Sequence, residues 1–137
     1  MRVLIDTNII LDVLMDRKQF VDASQCIFNL CELKEIEGHI SALTIPNLVY
    51  IMRKELNRDR IKDILHKLSM LFQIDDLKTE DISQAINLPM NDFEDALQSA
   101  CAARIEADYI ITRNGKDFAN SLVKPITPNK FLLLYWL

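Results

Sequence analysis

Residues 3–8 read VLIDTN, an apolar run that ends abruptly in three polar residues. Both faces of the run are apolar, which is typical of a central parallel strand covered by helices on both sides. Apolar residues then recur at helical spacing, starting with Ile9 and Ile10. The stretch therefore predicts a buried strand with a polar carboxyl end, followed at once by a helix.

Short strands and helices alternate along the remaining chain. Further strands are predicted at residues 39–42, 72–74, 109–112 and, at a sheet edge because of its proline, 123–126. Further helices are predicted at about residues 21–35, 44–56, 58–71, 79–88, 92–106 and in the apolar tail 131–137. We expect Gly38 to end the helix 21–35. We expect Thr44 and Thr79 to cap the helices 44–56 and 79–88. The alternation favours an α/β fold, an α/β/α sandwich with a central parallel sheet. No linker or repeat interrupts it, so residues 1–137 are predicted to form a single domain.

The composition excludes several protein classes. Of 137 residues, 50% are hydrophobic and 26% charged, which excludes wholesale disorder. Two glycines and four prolines exclude a collagen-like chain and a turn-dense β-sandwich. The net charge of −4 gives no general basic field for nucleic acid. A site that holds cations could still attract phosphate through the metal.

The cysteines and the apolar tail indicate a compartment. Cys26, Cys31 and Cys101 are odd in number and lie in apolar-periodic stretches, so we expect buried, reduced thiols. Met1 and Arg2 run directly into the first strand, with no secretory pattern. The seven-residue apolar run 131–137 is too short to span a bilayer. We therefore expect a cytoplasmic protein without a membrane partner, whose tail packs on the domain or in a dimer contact.

Acidic residues follow the predicted strands or begin a predicted helix. Asp6 ends the first strand, Asp92 and Asp95 share the first turn of the helix 92–106, and Asp117 follows the strand 109–112. Each has a plain structural explanation, since Asp6 and Asp92 are good helix N-caps and Asp117 fits a solvated turn. The carboxyl ends of parallel strands meet at one edge of a sheet, however, so the three sites should converge there.

Converging carboxylates favour a hard divalent cation, Mg²⁺ or Mn²⁺, which takes oxygen ligands. Such an ion can activate a water and neutralise a phosphodiester during hydrolysis. No zinc pattern competes, because His39 and His66 are isolated and are expected at the surface. The sequence has no glycine-rich phosphate loop, which excludes P-loop and dinucleotide-binding proteins.

Four segments together resemble the motifs of PIN domains: VLIDTN (3–8), DFEDA (92–96), TRNGKDF (112–118) and the closing ITP (126–128). They occur in order over essentially the whole chain. The resemblance implies a Mg²⁺- or Mn²⁺-dependent ribonuclease that hydrolyses RNA phosphodiesters with a metal-activated water. Many PIN domains are VapC-like toxins of bacterial toxin–antitoxin pairs, so the resemblance also implies a small antitoxin partner and a homodimer.

The resemblance also implies roles for individual residues. Asp6, Asp95 and Asp117 match the metal-binding acids, and Asp92 matches a supporting acid. Hydrogen-bond donors that would orient these carboxylates are Thr7, Asn8, Thr112 and Asn114. Arg113 and Lys116 are the candidates for contacting a substrate phosphate.

One position departs from the family's pattern. The pattern places a glutamate in the helix after the second strand, where this chain has Asn47. An asparagine carbonyl can still ligate a metal or position a water, but it adds no charge. Glu55, about two turns further on, is too far away to replace it. The alternative is therefore a PIN-fold module that binds RNA or protein with weakened or lost catalysis.

A different class of enzyme is a weaker alternative. A dehalogenase-like phosphoryl-transfer domain would use Asp6 as a nucleophile. Such enzymes place a second aspartate two residues later, and this chain has Asn8 there.

Overall fold

The computed structural model describes residues 1–136, so the last residue of the predicted C-terminal helix, Leu137, lies outside the described residues. The strands are β1 (Arg2–Ile5), β2 (Glu37–Ser41), β3 (Gln73–Asp75), β4 (Tyr109–Ile111) and β5 (Pro125–Ile126). The helices are α1 (Thr7–Leu14), α2 (Val21–Glu32), α3 (Thr44–Met52), α4 (Arg58–Leu71), α5 (Thr79–Ile86), α6 (Phe93–Arg104) and α7 (Pro128–Tyr135).

The strands form one parallel sheet in the order β3-β2-β1-β4-β5. The central strand β1 is fully buried at Val3, Leu4 and Ile5. Val3 and Ile5 join the core formed with α1, α2, α3, α4 and α7, whereas Leu4 joins the core formed with α6. Helices thus cover both faces of the sheet, and the predicted α/β/α sandwich is confirmed. Pro125 lies in the edge strand, as a residue without a backbone donor should.

Small side chains let α6 approach the sheet closely. Ala96, Ala100 and Ala102 are buried on this helix. The close approach places the N-terminal half of α6 near the carboxyl end of β1, as the hydrogen bond between Gln98 and Asp6 shows.

Gly38 does not end a helix, which corrects the sequence prediction. Helix α2 ends at Glu32, and Gly38 lies inside β2. A Cβ atom at Gly38 would lie 2.5 Å from Cys31 Sγ and 2.9 Å from a ring carbon of Phe72. The glycine is therefore required because strand, helix and aromatic ring meet there.

Two predicted helix caps are also wrong. The N-cap residues are Leu43 in α3 and Lys78 in α5, and the two threonines are each the first helical residue. Thr44 instead places its hydroxyl 3.2 Å from that of Thr7, which links α3 to α1. The Thr44 hydroxyl, which the sequence pattern assigned to a helix cap, therefore makes a contact between two helices.

Cys26 is exposed, contrary to the prediction, whereas Cys31 and Cys101 are buried. Cys26 lies on the polar face of α2 with Asp22 and Asn29, which are also exposed. Burial raises the pKa of Cys31 to about 12 and that of Cys101 to about 11.

His39 is buried, contrary to its predicted surface position, and His66 is exposed as expected. The His39 ring nitrogens lie 2.7 Å from an oxygen of Asp75 and 2.7 Å from an oxygen of Glu37. Two carboxylates therefore satisfy this ring inside the protein, which sequence periodicity could not reveal.

Within residues 1–136, no helix combines the length and the apolar character that a membrane span requires.

Candidate active site

Asp6 lies where β1 ends and α1 begins, at the N-cap position, but its side chain caps nothing. Its Oδ1 accepts a hydrogen bond of 3.0 Å from Gln98 Nε2, and its Oδ2 accepts one of 2.8 Å from Thr112 Oγ1. The residue is only 5% exposed. The simple capping explanation therefore fails for this carboxylate, which is held instead by residues of α6 and of the segment after β4.

The segment after β4 forms a turn that carries Asp117. Thr112 Oγ1 accepts a hydrogen bond of 3.0 Å from the Asn114 backbone N–H, and the Asn114 carbonyl accepts one of 2.9 Å from the Asp117 N–H. Phe118 is 1% exposed and anchors the turn in the core. Asp117 itself is exposed, and the Thr112 hydroxyl links its turn directly to Asp6.

The third acidic group begins α6. Asp92 is the N-cap, and its Oδ1 accepts a hydrogen bond of 3.1 Å from the Asp95 backbone N–H. The capping explanation therefore holds for Asp92. Asp95 is half-buried, and Glu94 beside it is exposed.

The Asp95 carboxyl lies within the field of the other carboxylates. Burial, followed by the negative charges of nearby carboxylates, raises the pKa of Asp95 from 3.8 to about 7. The carboxylates that contribute are those of Asp92, Asp6, Asp117 and Glu94, in decreasing order. The structure therefore brings together the acidic residues that the sequence placed near three different strand and helix ends.

The donor chemistry suits a hard divalent cation. Carboxylate and amide oxygens are the ligands that Mg²⁺ and Mn²⁺ prefer. Gln98 Oε1 is buried and accepts no hydrogen bond, and it belongs to the amide group that contacts Asp6. In residues 1–136, no three His, Cys, Asp or Glu side chains are close enough to ligate one ion as they stand. A cation held by these carboxylates would relieve their repulsion.

The helix after the second strand reaches the same region. Asn47 of α3 donates a hydrogen bond of 3.4 Å from its Nδ2 to Glu94 Oε2. Thr7, beside Asp6, contacts Thr44 as described above, and Asn8 is half-buried in the first turn of α1. Residues of α1, α3 and α6 therefore border the acidic group.

The two predicted phosphate contacts have different surroundings. Arg113 donates to buried Asp12 at 2.7 Å from Nε and 3.1 Å from Nη2, and its guanidinium lies 3.9 Å from the centre of the Phe20 ring. This pairing connects the turn after β4 to α1 and engages most of the guanidinium. Lys116 is exposed in the turn that carries Asp117.

Sequence reasoning missed Glu94 and Gln98. Glu94 directly precedes Asp95, and Gln98 follows Asp95 by three residues, which places it on the same helix face. That spacing was the available signal, but Gln98 carries no charge and Glu94 does not stand at the end of a strand. Only the contacts with Asn47 and Asp6 distinguish them.

Comparison with known proteins gives a consistent match. The profile of the family described as PIN domain matches residues 2–116. No curated protein sequence matches the chain.

Solved structures share the fold at low sequence identity. VapBC2 from Rickettsia felis, bound to a DNA fragment from their promoter, aligns at a TM-score of 0.73 and 18% identity, over 93% of this chain and 98% of that one. A toxin-antitoxin complex from Klebsiella pneumoniae aligns at a TM-score of 0.67 and 21% identity, over 92% of this chain and 97% of that one. FitAcB from Neisseria gonorrhoeae aligns at a TM-score of 0.70 and 20% identity, over 92% of this chain and 97% of that one.

Proposed function

Because the chain belongs to the PIN-domain family, we propose that it is a nuclease that hydrolyses RNA phosphodiesters with Mg²⁺ or Mn²⁺ as cofactor. The observation that carries the proposal is the group of facing carboxylates at the ends of β1 and β4 and the start of α6. Burial, followed by their mutual repulsion, raises the pKa of Asp95 to about 7, and a cation between them would relieve the repulsive part.

Asp6, Asp95 and Asp117 are the residues that would hold the ion. When bound, the ion would supply Lewis-acid chemistry that activates a water and neutralises charge on the phosphate. Gln98 and Thr112 fix the two oxygens of Asp6, so that this carboxylate keeps one orientation.

Neighbouring residues would prepare the site and meet the substrate. Asp92 holds the first turn of α6 in place, which orients Asp95. Thr7, Asn8 and Asn114 would support the turns that bear the acids. Lys116 would contact a substrate phosphate from the exposed side, whereas Arg113 would act mainly by fixing its turn through Asp12.

We further propose that this nuclease is a VapC-like toxin controlled by a small antitoxin protein. The fold is shared with a protein of the Klebsiella pneumoniae toxin-antitoxin complex, which supports this partner. A homodimer and a single domain spanning residues 1–137 are part of the same proposal.

The decisive experiment is cleavage of a mixed RNA substrate with Mn²⁺ or with EDTA. We expect metal-dependent cleavage that falls at least about 100-fold in Asp6→Asn, the upper end of the loss seen when the support of a metal ligand is removed. Asp22→Asn is the matched control, because Asp22 is an exposed acid in the first turn of α2.

Both variants should keep the wild-type thermal unfolding profile within a few degrees. Cleavage that persists in EDTA, or that is equal in Asp6→Asn and wild type, would contradict the proposal. No cleavage by wild type, with RNA retained by the protein in a binding assay, would favour the RNA-binding module instead.

A further inference from the structure

We propose that Glu94 supplies, from α6, the carboxylate that the family's pattern places on the helix after the second strand. In this chain that helix is α3, and it has Asn47 at the corresponding position. The inference rests on the proposed function, since it concerns the same cation site. Glu94 would then be the fourth acid of the site, at a position outside the family's acidic pattern.

The direct evidence is a contact between the two helices. Asn47 Nδ2 donates to Glu94 Oε2 at 3.4 Å, although the residues are 47 positions apart in the sequence. A glutamate at position 47 would place its carboxylate against that of Glu94. The Asn47 amide instead donates a hydrogen bond to the Glu94 carboxylate, so α3 can border the site without like-charge repulsion.

Glu94 also belongs to the acidic group by its position. It directly precedes Asp95 in the first turn of α6, the turn that Asp92 caps. Replacing a glutamate on α3 by one on α6 therefore keeps the number of negative charges around the site. Charge number is a main determinant of affinity for a hard divalent cation.

A second, independent observation indicates that a ligand belongs here. Gln98 lies one turn after Glu94 on α6 and is 5% exposed. Its Nε2 donates to Asp6, while its Oε1 accepts nothing. A buried amide oxygen without a donor is costly, and a cation or its bound water would satisfy it. The site thus contains an oxygen acceptor that packing alone does not explain.

These contacts change the expected role of Asn47. It is a positioning residue, which holds Glu94 by its amide, and it is not itself the weakened ligand that the family pattern suggests. Glu94 could otherwise be a simple first-turn acid that interacts favourably with the helix dipole. Glu80 provides the comparison, because it occupies the same second helical position in α5 and is also exposed.

The test is the affinity for Mn²⁺ alone, measured by titration calorimetry on the full chain without RNA. We expect Glu94→Gln to weaken Mn²⁺ binding at least about tenfold. Glu80→Gln, the matched control, should bind as wild type does. The double variant Asn47→Glu/Glu94→Gln should recover the wild-type affinity, because it returns the carboxylate to α3.

Two results would overturn the inference. If Glu94→Gln binds Mn²⁺ like wild type while Asp6→Asn does not, the cation site stands but Glu94 has no part in it. If the double variant binds as weakly as Glu94→Gln, the carboxylate on α6 does not replace one on α3. Absence of Mn²⁺ binding in wild type would instead overturn the proposed function, and this inference with it.

Discussion

The pKa of the Asp95 carboxyl reflects its burial and the negative charges around it. Its pKa is raised from 3.8 to about 7 in the folded protein, first by burial and then by neighbouring carboxylates. The folded state therefore retains a proton that the unfolded state releases between these two values. The contribution of Asp95 to stability therefore decreases as the pH rises from about 4 to about 7, since at this group the unfolded state binds fewer protons there.

We predict that Asp95→Asn unfolds at a higher temperature than wild type at pH 8 in EDTA. The difference should shrink as the pH falls below 3.8, where the wild-type carboxyl becomes protonated in the unfolded state as well as in the folded one. Thermal unfolding followed by circular dichroism across this pH range checks the prediction, with Asp22→Asn expected to follow wild type. A pH dependence in Asp95→Asn identical to that of wild type would refute it.

Motifs locate the acidic residues, but contacts decide what each one does. The sequence alone placed Asp6, Asp95 and Asp117 at neighbouring strand and helix ends, and the structure brings them together. It could not show that Gln98, 92 residues away, holds Asp6. Nor could it show that Arg113 is occupied by Asp12, 101 residues away. Such long-range pairs depend on packing and leave no periodic signal in the sequence.

At the scale of elements, Gly38 fixes how closely β2 lies to its neighbours. We predict that Gly38→Ala lowers the free energy of unfolding by about 1–3 kcal/mol, the cost of overpacking a filled core. The added Cβ would meet Cys31 Sγ at 2.5 Å and the Phe72 ring at 2.9 Å, so both must shift. Urea denaturation measures the loss.

Gly115→Ala is the matched control, because a Cβ at Gly115 has nothing within 4 Å. We expect it to change the free energy of unfolding by less than about 0.5 kcal/mol. Equal effects of the two substitutions would show that loss of glycine flexibility, and not crowding, is responsible.

Periodicity predicted the elements better than it predicted their ends. Helix α4 spans Arg58–Leu71 as expected, because its apolar stripe is regular and Asn57 caps it by accepting from Arg60 N at 2.9 Å. Helix α3 ends at Met52, before the predicted residue 56, and α2 ends at Glu32, before 35. Those ends depend on the neighbouring strand and on tertiary contacts, which the local sequence does not contain.

At the scale of the whole molecule, β1 separates two cores. Val3 and Ile5 face the core that contains Cys31, and Leu4 faces the one that contains Cys101. The two buried thiols therefore report on opposite layers of the sandwich. Their raised pKa values, about 12 and about 11, and their burial make both unreactive in the folded protein.

The single domain predicted for residues 1–137 can be tested with these thiols. We predict that Cys26 reacts with a maleimide at once in native buffer, because it is exposed. Cys31 and Cys101 should become reactive only on unfolding and, if one cooperative unit joins both layers, at the same urea concentration. Pulsed labelling followed by peptide mass spectrometry measures each site separately, and Cys26→Ser removes the fast reaction. Clearly separated midpoints for Cys31 and Cys101 would show that the two layers unfold independently. The shared strand β1 would then not couple the unfolding of one core to that of the other.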